Sequence, residues 1–442
     1  MSVEQVSEYR WRLSPGPIDA HTHPRVFDAI TSDGFVTLNE GSHGPQEGKG
    51  GLKHYTEVAL RSGITVMLAM PNESVRLYDE SAEERTIVLP YPIASIDRVR
   101  AMQAAISHEA VIPTGIHMGL DPETAFRDIH KTRLHSGVLE KQFTNVVDEC
   151  VALKVYLAET TGGYNIALEH ATGVSEIWYR SNPEKPIIFH VEGDDVATLL
   201  TNMSRLKHGK EIPIHIAHVS SRQELEAVIE AKGAGMNVTC EVTPHHLFMD
   251  DSAGTEIGGY GCMKPGLKTK ADIDFIWANI DQVDIIASDC APHRRSDKEA
   301  ENPAYGVTNH TVLLPLLLGA VAEGKITMEQ LYDKLCVKPR QRFNLPLEDN
   351  SSVLLSTRAK SYDAPQVQVY EEWSGARYGQ NPFLKLKGHA KMVGQVLFAE
   401  GGRSSYDAYA GEKFEPSYTH LIRPKNLGFQ AVRQALQKKA NG

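Results

Sequence analysis

The stretch PIDAHTHPR, residues 17–25, decides how the rest of this chain is read. Residues 17–19 form a short apolar run bounded by proline, and the histidines that follow alternate. Alternate residues of a strand point to the same side, so the imidazoles of His21 and His23 converge at its end. Seven further short runs, many rich in β-branched residues, follow at 64–70, 112–118, 151–157, 186–191, 213–219, 237–242 and 283–288. Amphipathic segments such as 222–231 and 271–280 lie between several of them. Strand and helix in alternation imply a parallel sheet, and eight such units imply a (β/α)₈ barrel.

A barrel of this kind carries its chemistry at the C-terminal ends of its strands. His21 and His23 end the first run, Lys154 lies within the fourth, His190 ends the fifth, His218 ends the sixth and Asp289 follows the eighth. Neutral imidazoles that converge are good ligands for a zinc-like ion, although a pair on a strand end is also ordinary. Lys154, inside ALKVYL (152–157), is costly to bury as a cation. Carboxylation by CO₂ would turn it into an anionic ligand, and snorkelling to the rim would be the plain alternative. His190 and His218, each taken alone, are more often structural than ligating; His215 competes with His218, which is preferred because it sits nearer the strand's end. A carboxylate at Asp289 can bind a metal and carry a proton, or simply cap a helix. The shared placement of all six on one rim is what favours a metal-dependent hydrolase.

The chain has 442 residues, 41% hydrophobic and 23% charged, in keeping with one large globular domain and an accessory part. Its net charge of −10 argues against a nucleic-acid partner. The most apolar run, 312–321, is too short to cross a bilayer and reads as a buried helix despite Pro315. Five cysteines without a CxxC pair fit a reducing cytoplasm. Residues 31–51 and 73–99 are long connections after barrel strands, read as loops over the site. From about Leu347 the alternation is lost; 391–399 is strand-like and 426–439 helical. The division is therefore a barrel domain over 15–346, with 1–14 and 347–442 as an accessory β region and a C-terminal helix.

Taken together, PIDAHTHPR (17–25), AMPN (69–72), ALKVYLAET (152–160), FHVEGDD (189–195), HIAHVSS (215–221), VTCEVTPHHLF (238–248), KPGLK (264–268) and IASDCAPH (286–293) resemble the dihydroorotases, cyclic amidohydrolases of the amidohydrolase superfamily. The LKVYLAET and VTCEVTPHHLF stretches are most similar to the dihydroorotase domain of the animal multifunctional pyrimidine enzyme. The resemblance implies two Zn²⁺ ions per chain, one held by His21, His23 and Asp289 and the other by His190 and His218. An N6-carboxylated Lys154 and a hydroxide would bridge them. It implies a substrate-carboxylate pocket of Arg25, Asn72 and His293, and Asp289 as the proton carrier. It implies interconversion of dihydroorotate and N-carbamoyl-L-aspartate, with ring closure favoured at lower pH. A homodimer and association with aspartate carbamoyltransferase are also implied. Pro24, Cys290, Lys264 and Lys268 depart from the usual family residues. A hydantoinase or allantoinase would share the ligands without needing the carboxylate pocket, and an inactive scaffold for aspartate carbamoyltransferase would be expected to lose ligands. No role follows from sequence for Cys240, His245 or His246.

Overall fold

Each of the eight apolar runs overlaps a strand in the computed structural model. It describes residues 2–24, 29–31, 34–36, 51–71, 75–78, 86–89, 96–126, 133–160, 165–347, 350–358, 381–384, 392–401, 404–407 and 411–413. Ile18–Thr22, Val66–Ala69 and Thr114–Ile116 form one parallel sheet. Met118–Gly119, Leu153–Tyr156, Ile187–His190, Ile214–Ile216, Val238–Val242 and Ile285–Ile286 form a second, also parallel and in chain order. The two meet at His117, whose N–H donates to Ala69 O at 2.9 Å, while that of Met118 donates to Ala152 O at 2.8 Å. At the other margin Thr22 and Cys290 form a parallel bridge, and the His23 N–H donates to Cys290 O at 3.1 Å. These strands are buried on both faces almost throughout, as parallel strands covered by helices must be.

The helices follow from local signals. Ser221 caps Arg222–Gly233 through a capping box with Glu224, and Leu225 and Val228 turn one apolar stripe inward. Thr269 and Asp272 do the same for Lys270–Ala278. His310–Ala322 is buried on nearly every side, which explains the missing polar stripe, and accommodates Pro315 within it. Among the described residues no helix is long and apolar enough to cross a membrane. All five cysteines are free thiols, with only Cys262 partly exposed.

Two further sheets lie outside the alternating pattern. One is antiparallel and joins both ends of the chain, in the order Ser2–Ser7, Arg10–Ser14, Ser352–Ser356, Gln395–Gly401, Ser404–Asp407 and Gly411–Lys413. The tail at 426–439 lies outside the described residues. The other sheet corrects the expectation of plain loops at 31–51 and 73–99. Gly34–Val36, Ala29–Thr31, Val75–Tyr78 and Thr86–Leu89 pair in that order, and Ala29–Thr31 runs parallel to Val75–Tyr78. Each strand is only three or four residues long, and the sheet is completed by the one pairing that crosses between the two connections, Ala29–Thr31 with Val75–Tyr78.

Candidate metal centre

Six of the nine residues singled out in the sequence come together at the C-terminal ends of the parallel strands. His21 lies within Ile18–Thr22 and His23 just beyond it; Lys154 is the second residue of Leu153–Tyr156, and His190 the last of Ile187–His190. His218 and Asp289 sit past the ends of their strands, both in the left-handed region at φ 39° and 47°. Only one other non-glycine described residue, Asn344, has positive φ. Such a conformation costs on the order of 1–3 kcal/mol for an ordinary side chain and is typical of functional sites. It also explains why the sixth strand stops at Ile216, short of the apolar run that predicted it.

One carboxylate oxygen of Asp289 lies 3.0 Å from His23 Nε2 and 3.3 Å from His21 Nε2. His21, His23 and Asp289 each offer a ligand atom within 4.8 Å of the others. Beside them His190 Nδ1 and His218 Nε2 lie 2.7 Å apart, one ring supplying the N–H and the other the lone pair. The His21 and His218 ring centroids are 5.4 Å apart, which joins the two groups. Lys154 is fully buried, and its Nζ has no hydrogen-bond partner, with the Tyr156 ring centroid 5.3 Å away. Burial pushes this amine down to about 8, against the opposing pull of Glu241 and Asp289. Burial likewise lowers His190, and lowers His218 further with the help of charge on His190 and Lys154. Burial alone would raise Asp289, but His21 and His23 hold it well below the usual carboxylate range. The result is two imidazoles, His190 and His218, held toward the neutral form, an ionised carboxylate and an amine easily deprotonated. Those are the protonation states that metal coordination requires.

Sequence reading missed Glu241. Its carboxylate contacts His21 Nδ1 with one oxygen and lies 3.1 Å from His215 Nε2 with the other. Burial raises it, but the two imidazoles more than offset that and hold it well below its ordinary value. A carboxylate on the far nitrogen of a ligating histidine fixes its tautomer and ring direction. The same contact engages His215 away from the cluster and leaves His218 as the member on this strand. Asp19 was missed too. It accepts from Ser288 N at 3.0 Å and His21 N at 3.3 Å, and its other oxygen lies 2.9 Å from His310 Nε2. No local signal marks either acid; both gain meaning only from partners far along the chain.

Of the remaining three residues, Arg25 and Asn72 lie outside the described residues. His293 is buried in the segment after Asp289, where a Cβ on Gly306 would stand 2.9 Å from its ring. His246 Nε2 lies 3.1 Å from Pro265 O and its Nδ1 2.9 Å from Thr243 Oγ1, whereas both His245 ring nitrogens are buried without a hydrogen-bond partner. Cys240 is buried within its strand.

Among curated proteins, the multifunctional protein CAD of Squalus acanthias is 28% identical over 411 residues, 90% of this chain but 15% of that protein. The multifunctional protein pyr1-3 of Dictyostelium discoideum is 28% identical over 91% of this chain, which spans 16% of it. The dihydroorotase of Shouchella clausii is 29% identical over 351 residues, 76% of this chain and 74% of that enzyme. The chain is a homologue of the dihydroorotases. No family model matches it. Among solved structures, L-hydantoinase from Arthrobacter aurescens superposes with a TM-score of 0.67 at 17% identity, covering 91% of this chain and 87% of that one. That likeness shows the fold alone: this dihydroorotase homologue shares the fold of that L-hydantoinase.

Proposed function

We propose that the chain is a dihydroorotase, interconverting (S)-dihydroorotate and N-carbamoyl-L-aspartate in pyrimidine (UMP) synthesis. The observation that carries this reading is the joined cluster of His21, His23, Asp289, His190, His218 and Lys154 in a homologue of dihydroorotases. The parallel strands are read as one closed (β/α)₈ barrel. Support comes from the change of partner across His117 and the bridge from Thr22 to Cys290. The barrel is taken as 15–346, with 1–14 and 347–442 as the accessory region. Free cysteines favour a reducing, cytoplasmic setting.

The donor set suits two zinc ions. His21, His23 and Asp289 would hold one, His190 and His218 the other, and carboxylated Lys154 would serve both. Bound divalent ions would lower the pKa of water from 15.7 to about 7 and polarise the ring amide. With its pKa near 8, on the order of one Lys154 in ten is a neutral amine at pH 7. That amine adds to CO₂, releasing a proton and forming an anionic carbamate. Asp289 accepts a proton during ring opening and delivers it to the departing amide nitrogen. Ring closure reverses the transfer and needs Asp289 protonated. His293, with Arg25 and Asn72, is assigned to the substrate carboxylate, for which an arginine fork is well shaped. The homodimer and an association with aspartate carbamoyltransferase are part of the same reading, in line with the multifunctional relatives.

Purified protein assayed on dihydroorotate, hydantoin and allantoin is expected to turn over dihydroorotate and to carry close to two zinc per chain. Turnover of hydantoin without dihydroorotate would sink the assignment. Arg25→Met is expected to raise KM for dihydroorotate far more than it lowers kcat, and an unchanged KM would remove Arg25 from the pocket. Glu241→Gln leaves one acceptor where His21 and His215 use two. It is expected to weaken zinc binding by about 10–100-fold. Competition with a chromophoric chelator measures this, and unaltered affinity would make Glu241 a bystander.

A further inference from the structure

Glu224 is almost completely buried in the first turn of Arg222–Gly233 and is not part of the cluster just described. Its carboxylate accepts four hydrogen bonds. Oε2 takes the Ser220 N–H at 2.7 Å, the Ser220 hydroxyl at 3.0 Å and the Ser221 N–H at 3.2 Å. Oε1 takes the Gly193 N–H at 2.8 Å, from a residue 31 positions earlier. A capping box needs only the Ser221 bond. The other three serve something else. Gly193 stands three residues after His190, in a φ of 60° and ψ of −133° that suits glycine. Ser220 stands two residues after His218, itself held at positive φ. One carboxylate thus ties together the turn after His190 and the turn that carries His218.

We infer that Glu224 is a positioning residue that sets the spacing of His190 and His218 and so the affinity of the metal position they form. The inference rests on the metal-binding reading above. The chemistry of the carboxylate offers a clean probe. A glutamine has one oxygen, so an amide that keeps the Ser220 and Ser221 bonds must turn its NH₂ toward the Gly193 N–H, donor against donor. The reverse orientation sets the NH₂ against the two serine amides. Either way the tie between the turns is broken while side-chain volume is kept.

The test is zinc titration of the full chain, metal-free at the start, against a chromophoric chelator, with Co²⁺ absorption as a second readout. Wild type is expected to bind two ions. Glu224→Gln is expected to weaken one of them by about 10–100-fold and leave the other unchanged, with a Co²⁺ spectrum altered for one ion only. Ser221→Ala, which removes the cap hydroxyl, is expected to lower the melting temperature without altering either affinity. Wild type binding fewer than two ions would overturn the metal reading and this inference with it. Wild type binding two, with Glu224→Gln binding both as tightly, would overturn the positioning role alone. A Glu224→Gln chain that does not fold, or that loses both ions equally, would make Glu224 a residue of the general fold and overturn the inference as well.

Discussion

Asp289→Asn is expected to lower kcat by about 10²–10⁴-fold in both reaction directions, the range that a positioned acid–base group contributes. The substitution is unusually clean. Asp289 holds φ at 47°, a region that asparagine tolerates as well as aspartate does, so the backbone has no reason to move. The amide also keeps an oxygen for the site shared with His21 and His23. What disappears is the carboxylate proposed to accept the proton, held ionised by those two imidazoles against the effect of burial. The pH dependence carries the sign. A base must be unprotonated to accept, so ring opening speeds up as pH rises; an acid must be protonated to donate, so ring closure speeds up as pH falls. Both slopes should flatten in Asp289→Asn. Initial rates in each direction, with zinc per chain measured alongside, check this. Activity within about tenfold of wild type in either direction would remove Asp289 from proton transfer.

Lys154→Met should produce effects of opposite sign on function and on stability. Activity should be lost, because methionine cannot supply the bridging anion proposed for Lys154. The metal-free chain should nevertheless become more stable, because the wild-type ammonium is buried with no hydrogen bond to offset its desolvation. The fall from 10.5 to about 8 corresponds to about 3 kcal/mol at 1.36 kcal/mol per pH unit. Below pH 8 the lysine is protonated both folded and unfolded, and the penalty is present in full. Between about 8 and 10.5 the folded form sheds its proton first and the penalty fades; above that it is gone. The gain from methionine is therefore largest at neutral pH and shrinks toward pH 10.5. Denaturant midpoints of metal-free protein in CO₂-depleted buffer at pH 7 and 10 test it. A variant less stable than wild type at pH 7 would mean that Lys154 has a stabilising partner.

The parallel strands were legible because each lies on one of eight compact apolar runs, and burial on both faces leaves little else such a run can be. The cluster was legible because strand ends are where this architecture gathers side chains, so His21, Lys154, His190 and Asp289 could be placed by position alone. His218 was chosen over His215 by position nearer the strand's end alone, since the contact that engages His215 is made by Glu241 on the neighbouring strand. Glu241 and Glu224 were illegible for the same reason. One sits inside VTCEVT and the other reads as a helix cap, and their further partners lie 26 to 220 residues away in the chain. The sheet containing Ala29–Thr31 and Val75–Tyr78 was missed because neither strand has a pattern of its own.

That sheet bears on how the chain can change over generations. Ala29 pairs with Arg76 and Ile30 with Leu77. By chain count Arg25 and Asn72 each stand four positions ahead of the first of these partners. If both serve the one pocket proposed for them, the pairing would act as a ruler between two distant stretches of sequence. Surface connections ordinarily accept insertions at little cost. Here a single added residue on one side would put the two donors out of step, and in a strand it would also turn side chains to the opposite face. On the proposed pocket, 25–29 and 72–76 would have to change length together, whereas the residues beyond the pairing carry no such constraint.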